Sequence, residues 1–187
     1  MAPPRFYQTA LLPLLASALS LGALYALADA HPDAGDLRVR WTIRIALLYW
    51  FASVWLRTGS ASRWCFSFGL WWYLVHLAAA FHYAHGWSHE AAVAAVERAS
   101  GFGAGIWMSH LFTLVWVAEC VRWWRAGPTS LPDRPGRWVE GFMMFVVFNG
   151  TVVYETGTAR WMGAAMFGLL AVRWAVRGLR GRMRYWV

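Results

Sequence analysis

Residues 64–84 read WCFSFGLWWYLVHLAAAFHYA, without one Asp, Glu, Lys or Arg. At about 1.5 Å per residue, a helix over this stretch crosses the roughly 30 Å hydrocarbon core of a bilayer. The next stretch, 85–105, reads HGWSHEAAVAAVERASGFGAG and does not cross: Trp87 to Ser100 is too short before the glycines and carries Glu90, Glu97 and Arg98. From Ile106 the chain is apolar again. Span, short polar bridge, span: this alternation continues in both directions and decides the fold.

Toward the N-terminus, RTGSAS is a turn that makes 41–56 and 64–84 antiparallel neighbours. The stretch HPDAGDLRVR before it reads as a loop, because Pro32, Gly35 and two aspartates mark a turn. Residues 8–28, preceded by Arg5, form a first span. A signal peptide ending at Ala28-Asp29-Ala30 is the alternative, but the apolar run exceeds the usual length of such a region. Cleavage there would free His31 as an N-terminal amine and imidazole.

Toward the C-terminus, spans follow at 106–121, 139–154 and 161–176, with the proline-rich loop RAGPTSLPDRPGR between the first two. Ala164-x-x-x-Gly168 is a small-residue spacing that permits close helix packing. Residues 88–99 form an amphipathic helix in the interface: Ser88 is a good N-cap, and Glu90, Glu97 and Arg98 lie opposite Val93, Val96 and alanines. The expected fold is an all-α polytopic membrane protein, a single helical bundle over 1–187 with six transmembrane helices. Composition agrees, since 59% of residues are hydrophobic and 14% charged, against about 25% charged in soluble domains.

All 17 basic residues are arginine, so a Schiff base or any other lysine nucleophile is excluded. With six spans, one side holds Arg5, Arg57, Arg63, Arg122, Arg125, Arg134, Arg137, Arg173, Arg177, Arg180, Arg182 and Arg184. The other holds Arg38, Arg40, Arg44, Arg98 and Arg160. This bias places both termini in the cytoplasm, with a bacterial inner membrane as the expected location. Trp41, Trp87 and Trp161 then mark the outer interface, and Trp64, Trp123, Trp124 and Trp138 the inner one. Arg173, Arg177, Arg180 and Arg184 form one helical stripe suited to anionic lipid, or to plain solvation. The pI near 10.3 is thereby explained without nucleic acid. Cys65 and Cys120 lack metal-ligand spacing and read as reduced packing residues.

Chemistry concentrates in the histidines, all six of which fall in the outer half: His31, His76, His82, His85, His89 and His110. On this topology His76 and His110 lie inside the membrane, roughly 10–15 Å deep, where an ionisable side chain is costly. Two site readings follow. His82 and His85 are three apart, and with His89 they form a surface group for copper, zinc or iron, with Glu90 and Glu155 as carboxylate partners. His76 and His110 are axial-ligand candidates for haem b, but only if their helices face each other across the bundle, because neighbours at about 8–10 Å leave no room for a porphyrin. The plainer reading of each histidine is a hydrogen-bonded structural residue.

Asn149, Thr151, Tyr154, Glu155 and Thr156 line the outer half of the fifth span, as a cavity wall or as interhelical hydrogen bonds. Glu119 with Arg122, and Glu140 with Arg137, read as ion pairs, and Arg44 as a snorkelling residue. No phosphate-binding glycine loop, HExxH or GxSxG is present, and Ser109 and His110 point about 100° apart on a helix. The expected function is a small membrane subunit or anchor of a larger assembly, with other membrane subunits as partners and a transition-metal or haem site in its outer half. A stand-alone redox or metal-handling protein is the alternative. A transporter comes third, because no span pair shows matched helix breaks.

Overall fold

A computed structural model describes residues 4–56, 59–126 and 136–183, without the side chains of 4–6, 137 and 178–183. The loop 127–135, Arg57, Arg134 and Arg184, and the side chains of Arg5, Arg137, Arg180 and Arg182, lie outside the described residues. The Glu140–Arg137 pair and most of the C-terminal arginine stripe therefore do too. The described residues form seven α-helices and no strand: α1 Pro4–Asp29, α2 Ala34–Leu56, α3 Ser60–Ala79, α4 His89–Ser100, α5 Ile106–Arg125, α6 Arg137–Phe148 and α7 Gly157–Met183. Two helices end in a π-turn, α3 over Ala80–Ala84 and α6 over Asn149–Val153.

Three helical stretches are long and apolar enough to cross a membrane: Tyr7–Asp29, Ser60–Ala84 and Gly103–Arg125. Trp138–Val153 is apolar but shorter. The helix α2 starts seven residues before the predicted 41, so most of the expected loop over 31–40 is helical. Asp33 is the cause: its Oδ1 accepts from the Asp36 N–H at 2.9 Å, filling one of the donors that a helix start leaves open. The pair Asp36–Arg40 at 2.8 Å then bridges the first two turns.

The helices α2 and α3 pack antiparallel, as the short turn predicts, and their contacts recur every seven residues. Ser62 Oγ donates to the Ser53 carbonyl at 2.9 Å. A Cβ on Gly69 would stand 3.3 Å from both the Ala46 carbonyl oxygen and the Trp50 nitrogen. His76 Nδ1 lies 3.0 Å from the Val39 carbonyl oxygen. Thus 62, 69 and 76 on α3 each rest on the backbone of α2, at 53, 46–50 and 39. A seven-residue recurrence is the seam of a coiled-coil-like pair, and Ser62 and Gly69 are small enough to let the backbones approach.

The α1 helix joins this pair through a buried polar chain. Trp72 Nε1 donates to Ser17 Oγ at 3.0 Å, Ser17 donates to the Tyr49 hydroxyl at 2.9 Å, and Tyr49 donates to the Pro13 carbonyl at 2.6 Å. At about 0.6 kcal/mol per interhelical bond on average, the three contribute roughly 2 kcal/mol. The α5 helix adds the aromatic core: Trp116, fully buried, donates to the Phe66 carbonyl at 3.2 Å, and its indole lies 2.9 Å from a Cβ built on Gly69. Trp123 is 2% exposed, stacks on Phe66 at 4.6 Å and donates to Glu119 at 2.8 Å. It is a core residue rather than the interfacial anchor predicted, because the indole N–H finds a buried carboxylate. Glu119 forms the expected ion pair with Arg122.

The chain divides into two compact units, Met1–Met143 and Met144–Val187. All the packing above lies in the first. In the second, the π-turn and α7 meet at Gly163, where a Cβ would stand 2.5 Å from Thr151 Oγ1. Close approach occurs there and not at the predicted Ala164-x-x-x-Gly168: among the described residues nothing lies within 4 Å of a Cβ built on Gly168. Phe148 meets Phe167 edge-on at 5.1 Å.

Candidate functional site

The histidine-bearing end of the first unit is built around the π-turn Ala80–Ala84. One residue too many in the turn sends the His85 N–H to the Ala80 carbonyl, five back, at 3.0 Å. Gly86 (φ 56°) and Trp87 (φ 61°) then both adopt left-handed backbone. That conformation costs glycine nothing but strains tryptophan. The Trp87 N–H reaches the Phe81 carbonyl at 2.9 Å, and its ring stacks on Phe81 at 6.1 Å, contacts that offset the strain. The reversal ends at Ser88, whose Oγ accepts from the Ala91 N–H and starts α4, as predicted.

The π-turn is tied to the rest of the unit by Arg38. Its guanidinium carbon lies 5.5 Å from the ring centres of both Tyr25 and Tyr83, and it pairs with Asp29 at 3.4 Å. Tyr83 packs so close to Gly35 that a Cβ there would lie 3.1 Å from its ring. One arginine thus holds α1, α2 and the π-turn together. Arg44, six residues further along α2, lies 5.1 Å over the Trp41 ring.

The α4 helix ends at Gly101, whose left-handed backbone (φ 74°) returns its N–H to the Glu97 carbonyl. A 3₁₀ turn, Gly103–Gly105, then leads into α5. It packs on the α4 face that carries Val93 and Val96: a Cβ on Gly103 or Gly105 would lie 3.2 or 3.1 Å from those side chains. His89 is one turn before Val93 and shares its face. It therefore continues the contact onto α5, where it meets His110. Their Nε2 atoms are 3.4 Å apart, the ring centres 5.6 Å and the planes 27° apart. Trp107, one turn before His110, touches both rings, at 6.3 and 5.5 Å.

The sequence grouped the histidines differently. His110 is brought to His89, not to His76. His76 faces α2: its Nδ1 proton goes to the Val39 carbonyl, with Thr42 Oγ1 3.5 Å away, which leaves Nε2 as its basic nitrogen. His82 packs edge-on against Tyr83 at 4.6 Å, and His85 against Phe81 at 5.7 Å, while Trp87 meets both His82 and Phe81. His31 is engaged in its own turn, where Nδ1 accepts from the Asp33 N–H at 3.1 Å. Glu90 is exposed beside His89, and Glu155 is exposed in the second unit. Among the described residues, no three His, Cys, Asp or Glu side chains are grouped to hold a metal ion.

In the second unit the hydrogen bonds given by Asn149 and Thr151 run along their own helix. Each donates to the carbonyl four residues back on its own helix, Asn149 to Phe145 at 2.8 Å and Thr151 to Val147 at 2.7 Å. Tyr154, Glu155 and Thr156 are exposed. The His89–His110 pair, with Trp107, is the feature that sequence reading missed. Its signal was present in the apolar stripe of α4, because His89 stands in register with Val93 and Val96. Comparison of the chain with protein-family models, curated proteins and solved structures finds no match.

Proposed function

We propose that this chain is a small integral-membrane subunit or anchor of a larger membrane assembly, crossing the bilayer six times with both termini cytoplasmic. One observation carries the reading: the three long apolar helices leave their apolar faces uncovered. Only 17% of the most apolar window of the first, and 22% of that of the third, is buried. Leu12, Leu15 and Leu19 on α1 and Trp107, Leu111 and Leu114 on α5 are among the exposed side chains. Faces of that extent are rare on a soluble monomer and cost nothing in lipid. The arginine-bearing α2 rests on α3 along the seven-residue seam and follows it across the membrane. The bias of arginine to one side supports the orientation, and the basic end of α7 suits anionic lipid.

Two measurements test this. Single cysteines placed in the loops of a variant lacking Cys65 and Cys120 should be labelled from opposite sides in strict alternation; two consecutive loops labelled from one side refute six spans. Extraction in mild detergent should bring down a partner membrane chain in fixed ratio. A chain that runs alone in every mild detergent refutes the subunit reading. The runner-up is a stand-alone redox or metal-handling protein using copper, zinc, iron or haem b. It has the His89–His110 pair in its favour, and its haem form would use the basic Nε2 of His76. Transport comes third, since both π-turns lie at helix ends and not mid-span.

A further inference from the structure

We propose that His89 and His110 are the two protein ligands of a binding site for a zinc-class divalent transition-metal ion at the α4–α5 junction. The separation of the two Nε2 atoms, 3.4 Å, is short enough for either of the two things facing imidazoles can do. A hydrogen bond between nitrogens is best at about 2.9–3.0 Å and poor beyond about 3.2 Å. Two nitrogens bound to one zinc at about 2.0–2.1 Å and the tetrahedral angle stand about 3.3–3.4 Å apart; a square-planar right angle brings them to about 2.9 Å and a linear arrangement to about 4.1 Å. The observed spacing is that of a long hydrogen bond and also of the tetrahedral pair; with ring centres 5.6 Å apart, a small rotation of the two side chains turns both nitrogens toward a shared ion.

The surroundings hold the pair in that geometry. His89 is fixed as the first residue of α4 by the Ser88 cap. His110 is fixed by the packing of the 3₁₀ turn on Val93 and Val96 and by the edge of Trp107. The two ligands come from different helices, so the ion would bridge α4 to α5 where the chain reverses. Both imidazoles are neutral ligands of the type zinc, nickel and copper accept, and no thiolate is needed. Two protein ligands leave two tetrahedral positions for water or for a donor from another molecule. This makes the ion exchangeable rather than sealed in, unlike a four-ligand structural site. The inference stands apart from the membrane-subunit reading, since it needs only the α4–α5 junction.

The full chain in detergent, stripped with a chelator, should be titrated with zinc sulfate by calorimetry and with cobalt(II) as a visible probe. One ion per chain is expected, with the intense visible bands of tetrahedral cobalt. His89→Ala or His110→Ala should weaken binding by at least about tenfold, while His82→Ala and His85→Ala bind as the unchanged protein does. Zinc should also protect His89 and His110 of the unchanged protein from acylation by diethyl pyrocarbonate, read by mass spectrometry, which keeps the test independent of whether the variants fold. Absence of saturable binding, octahedral cobalt spectra, equal loss in His82→Ala, or no protection of the pair each overturns the proposal. Membrane insertion and partner capture are read separately, so either proposal can fail alone.

Discussion

The π-turns at Ala80–Ala84 and Asn149–Val153 share one backbone device and put it to different use. Each closes an apolar helix with an N–H bonded five residues back at 3.0 Å, from His85 and from Tyr154. Each also has an arginine beside it. In the first unit Arg38 lies over Tyr83, so the turn is held by rings and its histidines are presented on an aromatic surface. In the second, Arg160 donates to the Val153 carbonyl at 3.2 Å, Asn149 and Thr151 bond back to their own helix, and α7 closes on the turn at Gly163. One turn exposes its histidine and tyrosine, and the other buries Thr151 against α7. An irregular turn frequently marks a functional position, but the side chains it carries decide whether it presents or packs.

That contrast can be broken by substitution, with thermal unfolding in one fixed detergent as the measure. Gly163→Val has the largest expected effect: its Cβ would meet Thr151 side-chain atoms at 2.5 and 2.7 Å, and the overpacking should cost about 1–3 kcal/mol. Melting unchanged from the parent would mean the second turn is not held by this close approach. Tyr83→Ala should come next, at about 1 kcal/mol, from loss of one cation–π face on a half-exposed ring. Tyr83→Phe removes only the long hydroxyl contact of 3.4 Å with Arg38 and should recover most of that loss. Gly35→Ala is expected to cost less, under about 1 kcal/mol, because the ring it would press on, at 3.1 Å, can shift outward. Smallest is Thr151→Val, within about 0.5 kcal/mol of the parent, since the hydroxyl bonds only its own helix. A large loss there would show a partner beyond Val147.

The helices were legible because a run such as 64–84, empty of charge, has few other ways to be satisfied. The cap at Ser88 was legible for a similar reason, since serine has a local job at a helix start. Asp33 could do the same job at the start of α2, but Pro32 and Gly35 beside it also spell a turn, and the cap prevailed. The π-turns were not legible: nothing in AFHYA marks one added residue. The Ser62–Gly69 seam was in the sequence too, spaced by seven. It escaped notice beside Ala164-x-x-x-Gly168, where the structure needs no small residue. How His110 would find a partner depended on where α4 settles, and only the stripe of His89, Val93 and Val96 carried that information.

The buried chain from Trp72 through Ser17 and Tyr49 to Pro13 has a consequence for how this protein is made. On the proposed membrane reading, the first helix would enter the bilayer carrying a serine hydroxyl whose partners lie on α2 and α3, which the ribosome has yet to deliver. Ser17 would wait in lipid at small expense, and its bonds to Tyr49 and Trp72 need both α2 and α3 in place. A break in the chain between Asp29 and Asp33 would leave these bonds intact. Residues 1–30 and 31–187, produced as separate polypeptides in one membrane, should therefore reassemble and co-purify, and replacing Ser17 by alanine should weaken that reunion before it visibly affects the intact protein.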